Sequence, residues 1–140
     1  MRAQLLLADY AQVAEGKLNI IGAGWTFTGP GPSTFALGLL LEVPWDATNV
    51  DHEVVLRLVD QDGGPVLDPS GAPLIVLTTF QVGRPPGVPA GVSQSVPLAV
   101  NFPSLQLPPG TRFEWVLSID GASEAEWNVS FATRVAEAEA

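Results

Sequence analysis

Apolar and polar residues alternate with a period of two along most of this chain. Val54, Leu56 and Leu58 are apolar, whereas Glu53 and Arg57 lie between or beside them. This alternation is typical of a strand with one buried and one solvated face. It recurs in three later segments, with apolar positions at Leu98, Val100 and Phe102, at Phe113, Trp115, Leu117 and Ile119, and at Trp127, Val129 and Phe131. No segment of ten residues has helical spacing, so the pattern predicts an all-β protein.

Clusters of Gly, Pro and Asp divide the chain into short segments. Asp62-Gly63 and Asp120-Gly121 have hairpin chemistry, because glycine tolerates a positive φ. After Pro44, residues 45–50 could form a single helical turn. We predict eight approximate strands, at residues 3–9, 17–28, 34–43, 52–60, 73–82, 92–102, 111–120 and 125–134.

Eight short strands with one apolar face each predict two antiparallel sheets packed face to face. The expected fold is an immunoglobulin-like β-sandwich, formed by residues 1–140 as a single domain, since 140 residues is an ordinary domain length. Strand order cannot be read from one sequence. A jelly roll and a closed barrel therefore remain alternatives.

Two of the predicted strands are apolar on both faces. They contain Leu5-Leu6-Leu7 and the segment from Phe35 to Leu41. The outer face of a two-layer fold meets water, so these strands need a second cover. The cover is either a loop, such as the turn at Trp45, or another subunit that meets an exposed patch.

Composition excludes several classes of function. Hydrophobic residues make up 46% and charged residues 15%, which indicates a globular chain with a substantial core. The absence of cysteine excludes disulfides, thiolate metal sites and cysteine nucleophiles. A formal net charge of -9 disfavours nucleic acid and anionic membranes as partners. The short Leu5–Ala8 run, ended by Asp9, does not resemble a secretion signal, and we expect a cytoplasmic location.

Catalysis is not expected from the residues present. The one histidine, His52, lies between Asp51 and Glu53 at the start of a predicted strand, and no serine has a nucleophile-elbow context. A solvated histidine at a strand start is the simplest interpretation. We predict that the protein is not an enzyme and uses no cofactor.

Ligand binding is the alternative function. Asp60, Asp62 and Asp68 lie in an acidic loop with the opening of a calcium site, but Gly64 occupies the place of the third acid. A plain hairpin with Asp60 and Asp62 capping backbone N–H groups explains the loop equally simply. Trp25 and Trp45 could provide a carbohydrate platform, whereas Trp115 and Trp127 follow the core pattern of their strands.

Charge is distributed unevenly along the chain. All fifteen acidic residues lie outside residues 69–113, where Arg84 and Arg112 are the only charged residues. In the middle of this acid-free block lies the stretch Gln81–Gly91, with three prolines and Arg84. Prolines stiffen a loop and lower the entropy lost on binding. We predict a protein-interaction or self-association surface at Arg84, Pro85, Pro86, Trp25 and Trp45; a stiff crossover that protects a sheet edge is the simpler alternative.

Four segments of the chain form a recognisable set: Leu6-Leu7-Ala8-Asp9-Tyr10-Ala11-Gln12-Val13-Ala14-Glu15-Gly16-Lys17-Leu18, Gly22-Ala23-Gly24-Trp25, Val43-Pro44-Trp45 and Gly83-Arg84-Pro85-Pro86-Gly87. With these segments the chain resembles a family of uncharacterised bacterial proteins. The resemblance covers nearly the whole chain and implies a β-sandwich, but no function. From the residues alone, the first strand is expected to end at Asp9, with a short loop that crosses to Gly16.

Overall fold

A computed structural model describes residues 1–135 and has eleven β-strands with two short 3-10 turns among them. The strands are β1 (Arg2–Ala8), β2 (Tyr10–Ala14), β3 (Lys17–Ile21), β4 (Phe27–Thr28), β5 (Ser33–Val43), β6 (His52–Asp60), β7 (Ile75–Phe80), β8 (Gln94–Leu105), β9 (Arg112–Ile119), β10 (Ala122–Ser123) and β11 (Val129–Thr133). The 3-10 turns are Trp45–Ala47 and Ala125–Trp127. The all-β prediction is confirmed, and so is the single helical turn after Pro44.

The strands form three sheets. One has the order β1-β5-β8, the second has the order β4-β11-β9-β6-β7 with β10 beside β9, and the third is the β2-β3 pair. Pairing is antiparallel except between β11 and β4. The prediction of about eight strands in two sheets is therefore corrected to eleven strands in three sheets.

The two larger sheets contribute side chains to one hydrophobic core. Leu37 and Leu39 of β5, Leu56 of β6 and Trp115 of β9 are almost fully buried within it. These residues occupy alternate positions along their strands, as expected when one face of each strand is removed from water. The inward positions predicted from the sequence, including Trp115 and Trp127, are confirmed, although Leu98, Val100 and Val129 are only partly buried against the core.

The β2-β3 hairpin covers the other face of β5. A Cβ atom added at Gly38 of β5 would lie 2.7 Å from Ile20 Cδ1 and 3.3 Å from Leu18 Cδ2, so these two side chains rest on the strand. The Asn101 side chain of β8 donates to the Ala11 carbonyl oxygen at 2.7 Å and accepts from the Ala11 N–H at 3.2 Å. The cover for the doubly apolar segment is thus a hairpin of the same chain.

The loop predicted between Asp9 and Gly16 is wrong, because Tyr10–Ala14 is a strand. It turns into β3 through Glu15 and Gly16, with φ of 52° and 71°, the two left-handed residues of a tight hairpin. The predicted strand 17–28 is likewise two strands, because β3 ends at Ile21 and β4 begins at Phe27. By contrast, the Asp120-Gly121 hairpin is confirmed, with φ of 52° and 81° between β9 and β10.

Candidate functional site

Arg84 anchors the proline-rich stretch to the turn that follows β5. Its Nε donates to Thr48 Oγ1 and its second terminal nitrogen donates to the Trp45 carbonyl oxygen, both at 2.7 Å. The guanidinium carbon lies 3.8 Å from the centroid of the Trp45 ring, in a cation–π arrangement. We call Trp45, Thr48 and Arg84 the arginine clamp. The structure thus brings together two of the five predicted interaction residues through contacts inside the chain.

The segment of residues 83–91 connects β7 of the six-stranded sheet to β8 of the three-stranded sheet. Pro85 and Pro86 are exposed, and the Pro85 carbonyl oxygen accepts from the Val88 N–H at 3.3 Å. The Val82 carbonyl oxygen accepts from Asn49 at 2.8 Å, which adds a second tie beside the clamp. As predicted, this stretch is a connection within one fold, and it presents its prolines to solvent.

Trp25 lies away from the arginine clamp. Its ring packs edge-on against Phe35 and Phe131, with centroids 5.8 and 5.7 Å away, and it borders the hydrophobic core. Phe35 lies near the start of β5 and Trp45 follows its end, so about 26 Å of strand, from Phe35 to Val43, separates the ring that Trp25 contacts from the turn that holds Trp45. Arg84 covers one face of Trp45. The two rings therefore do not form a shared carbohydrate platform.

His52 is buried, which contradicts its interpretation as a solvated residue. Only 5% of its surface is exposed, and its ring packs against the Phe80 ring at a tilt of 31°, with 5.2 Å between the centroids. Its Nδ1 lies 2.6 Å from Asp120 Oδ2, and its Nε2 lies 2.7 Å from the Ala47 carbonyl oxygen. Both partners accept hydrogen bonds, and a neutral imidazole has one N–H, so only the protonated ring satisfies both.

The pKa values of this pair move in opposite directions. Burial alone lowers the pKa of His52, but the hydrogen bonds to Asp120 and Ala47 and the negative charges of Asp120 and Asp51 together raise it above 6.5. Burial raises the pKa of Asp120, but the His52 hydrogen bond, the Glu53 N–H and the imidazolium charge outweigh it, so this pKa is lowered. The pair is an internal ion pair, and it leaves neither ring nitrogen free to act as a base.

Sequence reasoning did not foresee this pairing. Asp120 was assigned to a hairpin turn, and the same residue also accepts the Glu53 N–H at 2.8 Å through Oδ1. The available signal was the position of His52 at the start of a strand and of Asp120 at the end of another. Neighbouring antiparallel strands place such positions side by side, as β6 and β9 do here.

The acidic loop after β6 uses its carboxylates within the backbone. Asp60 Oδ1 accepts from the N–H groups of Asp62 and Gly64, both at 2.9 Å. Asp68 Oδ1 accepts from the N–H groups of Ser70 and Ala72, at 2.9 and 3.1 Å. Hydrogen bonds from Ser70 and from the following backbone N–H groups outweigh slight burial and lower the pKa of Asp68. Over residues 1–135, no group of three or more His, Cys, Asp or Glu is arranged to hold a metal ion.

We expect millimolar calcium to leave the thermal midpoint of unfolding unchanged. A ligand that binds only the native state would raise it by mass action. Thermal melts with calcium and with a chelator measure the difference. A rise that is abolished in Asp62→Ala would instead assign a calcium site to this loop.

The concave surfaces are open grooves. A groove of about 590 Å³ lies beside Arg2, Glu42 and Glu126, and a second of about 510 Å³ runs over Arg112 and Glu114. Neither contains His52 or the arginine clamp. Within residues 1–135, the charged side chains that line these two grooves thus do not include His52 or Asp120.

These features define an all-β protein with a clamped surface loop and a buried histidine that is paired with a partly exposed aspartate. The chain belongs to a family of unknown function, DUF6941, whose model matches residues 4–132. No curated protein and no solved structure shows significant similarity to it. Among residues 1–135, no helix is long and apolar enough to span a membrane.

Proposed function

We propose that the chain is a non-catalytic protein-interaction or assembly module. Its framework is a sandwich of the two larger sheets around their shared core, with the β2-β3 hairpin as an added layer. The observation that carries the proposal is the arginine clamp, which ties the exposed segment of residues 83–91 at Arg84 to the turn after β5. A loop ordered before binding loses little conformational entropy when a partner docks.

The position of the loop supports a protein partner. Pro85 and Pro86 are exposed and rigid, and they lie in the middle of a block without acidic residues. Elsewhere the chain is acidic, with a net charge of -9, which disfavours phosphate backbones and anionic membranes. A cytoplasmic location stays a prediction.

The pairing of the buried His52 with Asp120 supports a non-catalytic role. Both nitrogens of His52 face acceptors inside the protein, so the ring is not available to a substrate. A general base needs a ring nitrogen within reach of the proton that it removes. The pair instead ties the turn after β5 to the β9-β10 hairpin, and so supports the platform on which the clamp is built.

Replacing Arg84 by glutamate is expected to weaken association at least about tenfold, because the clamp is lost and the loop becomes mobile. The free energy of unfolding should fall by only about 1 kcal/mol, since Arg84 is exposed. Arg84→Lys should weaken association as well, because lysine lacks the planar fork that reaches Thr48 and Trp45 together. Sedimentation of the purified chain, alone and with host proteins, measures association, and thermal melts measure stability.

Arg112→Glu is the matched control. It makes the same change in net charge within the acid-free block, and Arg112 lines the groove beside Glu114, which includes no residue of the clamp. The proposal fails if both variants weaken association equally, or if the wild-type chain binds neither itself nor another protein.

A further inference from the structure

β7 is a free edge of the six-stranded sheet. It pairs with β6 on one side and is the last strand in the sheet order. Leu58 donates to the Leu74 carbonyl oxygen, which shows that even-numbered residues of this segment bond towards β6. Hydrogen-bonding direction alternates along a strand. The backbone groups of Ile75, Leu77 and Thr79 therefore point outwards, without a partner among residues 1–135.

This edge lacks the usual protection against pairing. Edge strands are commonly blunted by charged residues, prolines, bulges or short length. β8 contains Pro97 and Pro103, β4 has two residues, and the Leu7 carbonyl oxygen on β1 accepts from Gly24. β7 contains no charge and no proline, and its register with β6 is unbroken.

The outward face of β7 is also apolar. Leu77 is 63% exposed and Ile75 is 49% exposed. Val55 of β6 lies opposite Leu77. Arg57 of β6 lies opposite Ile75 on one side and opposite the half-buried Val116 of β9 on the other. An apolar strip beside an unpaired backbone is the surface on which an added strand gains both hydrogen bonds and burial.

We propose that β7 pairs with β7 of a second copy of this chain, antiparallel about a two-fold axis at Leu77. The inference rests on the proposed function and assigns its self-association to one strand. Two copies of a chain with net charge -9 repel each other over most of their surface, and β7 lies in the block without acidic residues. An antiparallel pair of identical strands closes into a symmetric dimer without leaving the edge open.

The register of this pair brings no like charges of β6 and β7 into one cross-strand row. With the axis at Leu77, Ile75 of one copy lies opposite Thr79 of the other. Arg57 lies beside Ile75 and Glu53 beside Thr79 in the β6-β7 register, so Arg57 and Glu53 of the two copies fall in the same cross-strand row. The central row places Leu77 against Leu77 of the second copy, flanked by Val55 of each. In this register the backbone of Ile75, Leu77 and Thr79 in each copy donates one hydrogen bond per residue to the other copy and accepts one from it.

The test exchanges Leu77 for charged residues in the full chain. Leu77→Lys and Leu77→Glu should each raise the dimer dissociation constant at least tenfold, because they place like charges directly opposite each other. An equimolar mixture of the two variants should regain association, because the axis then pairs lysine with glutamate. Ile21→Lys is the matched control, since Ile21 is 65% exposed but lies on β3. Sedimentation velocity over a concentration series measures the dissociation constants of the wild type, of the three variants and of the mixture. Thermal melts check that each variant is folded.

Three outcomes overturn the inference. The first is a wild-type chain that stays monomeric at high concentration. The second is self-association that Leu77→Lys leaves unchanged while Arg84→Glu weakens it; this outcome retains the proposed function and removes β7 from it. The third is a monomer whose Leu77-sensitive partner is another protein, which would make β7 a site for an extended foreign segment. Weakening by both charges with recovery in the mixture supports the two-fold pairing.

Discussion

Replacing Gly38 by valine is expected to lower the free energy of unfolding by about 1–3 kcal/mol, as overpacking of a close-packed contact does. Gly38 lies on β5 directly beneath the β2-β3 hairpin, and an added Cβ would come within 2.7 Å of Ile20 Cδ1. The larger side chain of valine must therefore displace Ile20 and Leu18 from the strand. Urea denaturation, followed by tryptophan fluorescence, measures the change.

The cause of this loss can be isolated with a double-mutant cycle. Ile20→Ala removes the methyl group that the new side chain meets, so Gly38→Val should cost at least about 0.5 kcal/mol less in that background. Gly83→Val is the control, because Gly83 is exposed and its nearest neighbour to an added Cβ is Asn49 Oδ1 at 3.7 Å. Additive effects of the two substitutions would show that the hairpin does not rest on Gly38 as described.

The hairpin illustrates which parts of the fold could be predicted from the sequence. Alternation identified the core strands β6, β8, β9 and β11, because burial on one face leaves a period of two in the residues. It did not identify β2 or its hairpin with β3, since Glu15-Gly16 lacks the Asn-Gly or Asp-Gly pair that signals a tight hairpin. Glu15 nevertheless adopts a left-handed φ of 52°. The sequence therefore showed that β5 needed a cover, without showing which segment supplies it.

The candidate site was predictable in part for a similar reason. The composition of residues 81–91 marked a stiff, acid-free loop, and Arg84 and Trp45 were both identified. Their contact was not, because 39 residues separate them and the strand order brings them together. The His52–Asp120 pair spans 68 residues and depends on β6 lying beside β9. The composition of a segment indicates its possible function, whereas the pairing of strands determines which other segments it contacts.

The stability of the protein is expected to fall as pH rises above about 6.5, because His52 loses its proton more readily in the unfolded chain than in the folded pair with Asp120. The pKa of His52 is raised in the folded state, so its contribution is complete below 6.5 and is lost as pH rises through the folded value. The pKa of Asp120 is lowered, so its contribution is present above 3.8 and is lost as pH falls through the folded value. Between these limits the pair is fully charged and stability should be greatest.

Asp120→Asn is expected to remove the alkaline part of this profile. The variant should lose about 1–2 kcal/mol at pH 6, less than for a fully buried charged hydrogen bond, because the Asp120 side chain is 46% exposed to solvent. In the variant the neutral ring can still donate from Nε2 to Ala47, so stability should change little between pH 6 and 9. Asp46→Asn is the control. It removes an acidic residue from the 3-10 turn that contains Ala47, the other partner of His52, and should keep the wild-type dependence of stability on pH.

Because His52 is the single histidine, its imidazole proton signals report its pKa directly by NMR titration. Parallel pH profiles for wild type and Asp120→Asn, or a His52 pKa at or below 6.5, would show that the ring is not held in its protonated form by this carboxylate.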